Sequence, residues 1–291
     1  MSAKGLIVLR SLLEHFDATL IAYVVTSQDG AVEQDYQQEI RQLALAAKIK
    51  VYDRLIDSAA SENVSYLFAV SWRWMLPTKP DQQLIVFHDS ILPRYRGFAP
   101  LVTALINGDT CLGVTALVGS SDYDRGAIIA QQTVQVTYPL KVEHAIEAVG
   151  TCYRNLALET VGKILAGNFT YIPQDETLAT YSLWRDESDY YINWNWPSER
   201  IQRFVDAVGF PYKGAATTAN GVIFRITEAT PAPDVMIENR TPGKVIFVCD
   251  NEPVVVCGQG LLRIHRMVES QTRKNALPLK HFRTCFQTPR V

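Results

Sequence analysis

The first half of the chain alternates between strand-like and helix-like segments, and this alternation limits the fold more than any other feature. Residues 19–26 (TLIAYVVT) form a continuous β-branched and aromatic run, and residues 36–47 (YQQEIRQLALAA) have helical spacing of apolar side chains. Such alternation is typical of an α/β layer protein. We therefore predict a doubly wound, mostly parallel sheet for the amino-terminal domain.

The same alternation continues to residue 166. Further strands are predicted at residues 64–71, 84–88, 113–118 and 128–136. Helices are predicted at residues 100–107 and 142–166, the second ending at Gly167. Residues 5–14 (GLIVLRSLLE) read equally well as helix or strand. Either the first strand of the sheet is missing from this chain, or this run serves as it.

Beyond Tyr212 the pattern changes to short strand-like runs separated by turns. These runs cover residues 214–218, 222–227, 244–249, 253–257 and 261–267. A polar, aromatic bridge and a short helix (197–208) precede them. The pattern indicates a smaller all-β domain resembling an OB-type barrel. We predict a catalytic domain over residues 1–186 and a β domain, with its linker helix, over residues 187–291.

Composition and charge exclude several classes of protein. With 47% hydrophobic and 20% charged residues the chain is globular, and a net charge of -2 disfavours a wide grip on a polyanion. The five cysteines and five histidines form no paired ligand motif, so neither a disulfide framework nor a metal site is expected. No apolar run approaches the ~18 residues of a spanning helix, and no secretion signal is recognised, so we expect a cytoplasmic protein.

Two short segments are candidates for chemistry. His88 follows a predicted strand at its carboxyl end, where open α/β sheets bind ligands, although a lone histidine is more often a satisfied loop or core residue. Residues 122–126 (DYDRG) lie between two predicted strands and read alone as a hairpin turn. If both strands lie in one sheet with the relevant ends on one edge, Asp124 reaches His88 and holds it as a general base.

These segments belong to a longer pattern. The string HDSILPRYRGFAPLVTALINGD, followed by GVT and by DYDRG-x-II-x-Q, resembles the folate-dependent formyltransferase family. That family's pattern runs Asn-x-His-x-Ser-Leu-Leu-Pro-x-Tyr-Arg-Gly and continues to Asp-x-Gly-x-Ile. The linker INWNWPSERIQRFVDAVGFPYKGA is similar to the family's crossing into its C-terminal β domain. The resemblance implies a formyltransferase-like fold of Rossmann type, and formyl transfer from the cosubstrate N10-formyltetrahydrofolate to a primary amine.

The resemblance also implies the catalytic residues. His88 and Asp124 match the family's catalytic histidine and aspartate, but Val86 stands where the family has asparagine. Valine cannot donate a hydrogen bond to an oxyanion, and losing such a donor typically costs ~2.7 to 4 kcal/mol of transition-state stabilisation. Candidate replacements are protonated His88, the Ser90 hydroxyl and backbone N–H groups of the loop after residues 64–71.

Ligand contacts are implied in the same way. The implied folate-binding residues are Ser71, Trp72, Met75, Leu76, Asp122 and Asp124. Trp74 is expected to pack beneath its loop instead. The implied substrate-binding residues are Pro93, Arg94, Tyr95, Arg96, Gly97 and Tyr212. The aromatic segments 190–196 and 210–212 supply either a stacking surface for a base or an interdomain or dimer core.

The amine acceptor is left open by the motifs. The family acts on initiator methionyl-tRNA, glycinamide ribonucleotide or nucleotide-linked amino sugars, and the ribonucleotide enzymes are single short domains. A tRNA enzyme needs cationic surface, yet residues 27–35 (SQDGAVEQD) are acidic. We favour a nucleotide-diphosphate-linked amino sugar, as used in O-antigen synthesis, with a nucleic-acid partner disfavoured, no membrane partner and a homodimer as an option. A methionyl-tRNA formyltransferase and a folate-binding protein with lost or weak catalysis are the alternatives.

Overall fold

The computed structural model describes residues 2–30, 32–53, 62–72, 74 and 76–288. They fall into two compact units. The first comprises residues 1–101, 111–136 and 145–183, and the second comprises residues 102–110, 137–144 and 184–291. Within the described ranges, no helix combines the length and the apolar character needed to cross a lipid bilayer.

The elements follow the predicted order. In the described part of the chain, the α-helices are α1 (Ala3–His15), α2 (Gln37–Ala46), α3 (Pro100–Asn107), α4 (Val142–Leu165) and α5 (Ser198–Ala207). The strands of the amino-terminal part are β1 (Tyr23–Thr26), β2 (Lys50–Asp53), β3 (Tyr66–Val70), β4 (Gln83–His88), β5 (Arg96–Gly97), β6 (Cys111–Val118), β7 (Ile128–Gln135) and β8 (Tyr181–Ser182). The remaining strands are β9 (Ala215–Ala219), β10 (Val222–Ala232), β11 (Val245–Cys249), β12 (Glu252–Val256) and β13 (Leu261–Glu269). The sequence pattern did not predict β2, β5 and β8.

The ambiguous run 5–14 lies inside helix α1 and does not serve as a strand. Its leucines at positions 6, 9 and 13 recur at helical spacing, so they share one face. Leu6 and Leu9 are buried in a cluster with Ile40 and Ala44 of α2. Burying such a side chain contributes roughly 1.5 to 3 kcal/mol, which favours the helix over an exposed strand.

The main sheet of the first unit has the strand order β3–β4–β6–β7, and β1 and β2 form a separate parallel pair. Strands β3 and β4 are parallel, whereas β6 runs antiparallel to β4 and β7 antiparallel to β6. The predicted α/β fold with parallel strands is confirmed. The β6–β7 hairpin makes its sheet mixed.

Strand β4 is the element that positions the site. Ile85 and Phe87 are buried on one face, and Val86 and His88 alternate onto the other. Val86 lies opposite Leu117 of β6 and packs against the cluster that contains it. Because His88 ends the strand, its side chain lies at the carboxyl end of a parallel pair.

The second unit contains the predicted β domain, and this prediction is confirmed. Its five antiparallel strands have the order β11–β12–β13–β10–β9. Residues 284–287 then bridge the two edges: Gln287 pairs with Thr218 of β9, and Cys285 pairs with Lys244 next to β11. The final segment therefore closes the sheet, as in a small barrel.

Candidate active site

Both ring nitrogens of His88 face hydrogen-bond acceptors. Nε2 lies 2.8 Å from the carbonyl oxygen of Tyr95, and Nδ1 lies 3.4 Å from Oδ1 of Asp124. The two side chains are only 7% and 11% exposed. A carbonyl and a carboxylate can only accept, so each ring nitrogen can donate to its neighbour when that nitrogen carries a proton. The distance to Asp124 is slightly longer than the ~3.2 Å expected for a direct hydrogen bond, and it leaves no room for a water between the two atoms.

Asp124 reaches His88 by a different route from the expected one. Val118 pairs with Ile85, and the N–H of Gly119 donates to the carbonyl of Leu84 at 2.7 Å. Because β6 is antiparallel to β4, the hairpin after it begins beside the amino-terminal half of β4. The hairpin segment must therefore turn back along the sheet to bring Asp124 to the carboxyl end.

Two glycines make this close approach feasible. The N–H of Gly97 donates to Oδ2 of Asp124 at 2.8 Å, and a Cβ at Gly97 would lie 2.6 Å from the carbonyl oxygen of Ser182. A Cβ at Gly126 would lie 1.7 Å from the carbonyl oxygen of Val118. Both positions therefore require glycine, because a Cβ would clash with backbone atoms that cannot easily move away.

The loop after His88 is held by its own side chains. The Ser90 hydroxyl is buried and donates to the carbonyl of Arg94 at 2.7 Å. The Thr115 hydroxyl donates to the carbonyl of Ser90 at 2.7 Å and accepts from the N–H of Leu92 at 3.2 Å. The Ser90 proton is thus used within the loop, and its role as an oxyanion donor stays a prediction.

The predicted substrate residues lie in different surroundings. The Arg94 guanidinium stacks over the Tyr95 ring at 4.8 Å and donates to its hydroxyl at 2.9 Å. The carbonyl of Pro93 accepts from the N–H of Thr180 at 3.2 Å. Tyr212 belongs to the second unit, where it is half-buried.

Arg96 is fully buried, and its guanidinium is saturated. All five of its N–H groups have an acceptor. Nε and Nη2 donate to Oε1 of Gln174 at 3.0 and 2.8 Å, and Nη1 and Nη2 donate to the Glu176 carboxylate at 2.8 and 2.9 Å. Nη1 also donates to the Tyr181 hydroxyl at 3.4 Å. The hydrogen bond to Glu176 raises the pKa of Arg96 and lowers that of Glu176. No donor remains for a substrate, which argues against the predicted substrate contact of this side chain.

A buried charged cluster lies directly after His88. The Asp89 carboxylate accepts hydrogen bonds from the Lys4 ammonium of α1 and from the Tyr153 hydroxyl of α4. Burial opposes ionisation of Asp89, but the charge and hydrogen bond of Lys4 outweigh it and lower the pKa of that carboxyl. Burial and the nearby Asp89 raise the pKa of Tyr153 well above its usual value. Three elements of the first unit therefore meet at this carboxylate.

The implied folate loop follows β3. Trp72 is half-buried, and its Nε1 is buried without a hydrogen-bond partner among the described residues. Trp74 contacts Trp72 edge-on at 5.0 Å but is 43% exposed, so it does not pack beneath the loop as expected. Leu76 is half-buried, Ser71 has a φ of 50°, and Met75 lies outside the described residues. The orphaned indole donor fits a ligand that offers an acceptor there.

The two aspartates of the hairpin are separated in role. The Asp122 side chain is 65% exposed and pairs with Arg125 at 3.3 Å, whereas Asp124 lies at His88.

The sequence analysis missed Gln174, Lys4 and Tyr153, which contact the hairpin or the His88 loop. Gln174 lies in a segment without a motif. For Lys4 and Tyr153, the one sequence feature that indicates a buried partner is a charged residue, Asp89, directly after an apolar strand.

Sequence comparisons agree with this geometry. Residues 10–158 match the formyl transferase family, and residues 186–283 match the formyl transferase C-terminal domain. The methionyl-tRNA formyltransferase of Streptococcus sanguinis is 29% identical over 283 residues, which cover 93% of this chain and 89% of that protein. The corresponding enzyme of Enterococcus faecalis is 31% identical over 216 residues, covering 74% of this chain and 68% of that protein.

Solved structures share the fold. WlaRD, a sugar 3N-formyltransferase solved with dTDP and 5-N-formyl-THF, superposes with a TM-score of 0.67 at 17% identity, covering 89% of this chain and 92% of its own. HypX from Aquifex aeolicus, solved with tetrahydrofolic acid, gives a TM-score of 0.62 at 18% identity over 86% of this chain, and this chain spans 44% of HypX. Taken with the two family matches and the His88–Asp124 pair, these findings show that the chain belongs to the folate-dependent formyltransferase family, enzymes that take their formyl group from N10-formyltetrahydrofolate.

Proposed function

We propose that this enzyme formylates the primary amine of a nucleotide-diphosphate-linked amino sugar. The amine nitrogen attacks the formyl carbon, the bond from that carbon to N10 breaks, and tetrahydrofolate leaves with the proton that the amine loses. His88 takes or shuttles this proton, and Asp124 holds His88. The observation that carries the choice of acceptor is the charge of the amino-terminal part of the chain.

No lysine or arginine occurs from residue 11 to residue 40. The acidic residues of this segment are Glu14, Asp17, Asp29, Glu33, Asp35 and Glu39. Affinity for tRNA comes largely from cations that neutralise phosphates, so an acidic segment of this length disfavours a tRNA stem. An acceptor with two phosphates needs far fewer cations, and Arg94 lies in the loop next to His88.

The structural neighbours are consistent with this choice, although at their low identity they support the fold alone. An N-formyltransferase from Helicobacter canadensis, solved with folinic acid and dTDP-3-aminofucose, has a TM-score of 0.67 at 17% identity, covering 90% of this chain and 95% of its own. Its ligands suggest the first acceptors to try. The family boundary at residue 186 also supports our proposed division of the chain into residues 1–186 and 187–291. We further propose a cytoplasmic location for this reaction.

A specific observation favours the second candidate, a methionyl-tRNA formyltransferase. The cations of residues 261–288 are Arg263, Arg266, Arg273, Lys274, Lys280 and Arg283, against the single acid Glu269, so six minus one gives a local charge of +5. All of these cations except Arg263 are exposed. Such a basic, exposed segment is a feature expected of a protein that binds a phosphate-rich partner.

One experiment separates the candidates. The enzyme is incubated with N10-formyltetrahydrofolate and, in parallel, dTDP-linked amino sugars with the amine at different ring positions or initiator methionyl-tRNA. Tetrahydrofolate release and the mass gain of the acceptor are measured. Transfer to an amino sugar with no shift of tRNA in a gel at moderate salt supports our proposal, whereas efficient formylation of methionyl-tRNA overturns it. Tight folate binding without any transfer identifies a protein that has lost catalysis.

A further inference from the structure

Asp124 combines an uncommon backbone conformation with a carboxylate that faces His88. Its backbone has a φ of 56°, a left-handed conformation that most residues rarely adopt. The carboxylate must nevertheless point at His88, since Oδ1 lies 3.4 Å from Nδ1. A relaxation of this backbone would swing the carboxylate away from the imidazole.

Gln174 contacts the backbone at Asp124 and just after it. Its Nε2 donates to the carbonyl oxygens of Asp124 at 2.7 Å and of Gly126 at 2.8 Å. Its Oε1 accepts from Nε and Nη2 of Arg96. Carbonyls only accept and guanidinium only donates, so one orientation of the amide satisfies all four contacts.

The other end of this chain of contacts is anchored. Arg96 is 0% exposed, and Glu176 binds its two terminal nitrogens. Glu176 also accepts from Arg125, the residue after Asp124, at 3.1 Å. The backbone from Asp124 to Gly126 is therefore tied through Gln174 and through the Arg125 side chain to the buried Arg96 guanidinium and its partner carboxylate.

We propose that Gln174, oriented by the buried Arg96, is a positioning residue that holds the Asp124 backbone so that its carboxylate faces His88. Arg96 then acts by orienting this amide and not by binding substrate. The proposal rests on formyl transfer at this site, but it does not depend on which amine is the acceptor.

Two variants of Gln174 distinguish its contacts to Arg96 from its contacts to the backbone of Asp124 and Gly126. Gln174→Leu loses the contacts to both Arg96 and the hairpin. Gln174→Glu keeps an oxygen for Arg96 but places a second oxygen against two carbonyls, so it breaks only the support of Asp124. The matched control is Gln132→Leu on β7, whose side-chain amide donates to the Glu159 carboxylate of α4 at 3.0 Å.

We expect both Gln174 variants to lower kcat by about 10-fold to 10²-fold, the range for misplacing a reacting group by about an ångström. The KM for N10-formyltetrahydrofolate should change little, and Gln132→Leu should behave as wild type. A role limited to holding Arg96 would leave Gln174→Glu near the wild-type rate, and that result overturns the proposal. Should Gln174→Leu fail to fold, Gln174→Glu alone decides.

A second readout needs no acceptor. Nitrogen-15 NMR of histidine-labelled protein reports the imidazole environment, and the His88 signals are assigned by their absence in His88→Asn. We expect these signals to shift in Gln174→Glu and to stay unchanged in Gln132→Leu. Unshifted His88 signals in Gln174→Glu overturn the positioning role even if no acceptor is formylated, so this arm is independent of the proposed substrate.

Discussion

Two histidine–carboxylate pairs, one in each compact unit, differ in what surrounds them. His88 and Asp124 lie 3.4 Å apart and are 7% and 11% exposed. His265 and Glu252 lie closer, at 2.9 Å, but are 27% and 24% exposed on antiparallel strands. The shorter pair is therefore the more exposed one, and distance alone does not identify a catalytic pair.

In the second pair, the Glu252 carboxylate is shared between His265 and Arg263. Glu252 also accepts from Nε of Arg263 at 2.5 Å, and the Thr230 hydroxyl lies 2.7 Å from Nε2 of His265. Burial opposes ionisation of Glu252, but hydrogen bonds from His265 and Arg263 outweigh it and lower the pKa of that carboxyl. Such solvent-screened pairs contribute little to stability, typically about 0 to 1 kcal/mol. The two pairs therefore differ in burial and in strand position, and we expect the chemistry at the buried pair, whose histidine ends a parallel strand.

The largest expected effect is on His88. We expect His88→Asn to lower formyl transfer by ~10²-fold or more, the usual range for losing a positioned acid–base group, with the fold kept. His265→Asn is the matched control and should retain the wild-type rate. Tetrahydrofolate release and circular dichroism of both variants check this. Near-normal turnover in His88→Asn would remove the histidine from the mechanism.

A smaller effect is expected at Asp124. Asp124→Asn keeps an oxygen for the N–H of Gly97 but removes the negative charge beside His88. We expect kcat to fall by about 10-fold to 10²-fold, within the range of positioned acid–base groups, and Glu252→Gln to leave it unchanged. Steady-state kinetics of the two variants test the comparison directly. Equal losses in both would mean that the buried pair has no special role.

A substitution at Val86 is expected to raise the rate of formyl transfer at the buried pair. Residues 86 and 88 share a face of β4, so an amide at position 86 would lie beside His88. If wild type is slow, we expect Val86→Asn to raise kcat by up to about tenfold, less than a full oxyanion donor provides because the amide enters an apolar cluster. Val86→Leu is the apolar control and should show no gain.

If the wild-type enzyme is fast and Val86→Asn leaves its rate unchanged, another group donates the hydrogen bond to the oxyanion. Ser90→Ala is then the variant to measure. Its hydroxyl is committed to the carbonyl of Arg94, so a strong rate loss in Ser90→Ala would require that this contact opens during the reaction.

The smallest expected effect concerns acid stability. The pKa of Asp89 is lowered below its ordinary value of 3.8, so the stability it contributes is present above that value and is lost as the pH falls through the folded-state pKa. The double variant Lys4→Met/Asp89→Asn removes both charges and should unfold with a weaker pH dependence below pH 3.8 than wild type. Glu252→Gln, which removes a more exposed carboxylate, should change this dependence less. Urea titrations at several pH values measure it.

The helices and most strands were predictable because their signals are local. Helix α3 has the predicted bounds 100–107, since its apolar residues repeat at helical spacing after a proline. Strand β2 was missed because four residues, KVYD, are too short to show a period. Gln174 was missed because its partners are Arg96 and the hairpin, roughly 50 to 80 residues away along the chain, and no local pattern reports such contacts.

The sequence by itself determined the family, the order of an α/β domain and a β domain, and the place of His88 at the end of a strand, because ordered motifs and periodicity are properties of neighbouring residues. Tertiary structure alone decided how Asp124 reaches His88, from a hairpin that turns back along the sheet, and that Arg96 donates its hydrogen bonds to Gln174 and Glu176. The physical reason is that the partners of a polar group are chosen by the direction of strands and by burial. Both depend on segments that are distant in the chain and meet only in the folded protein.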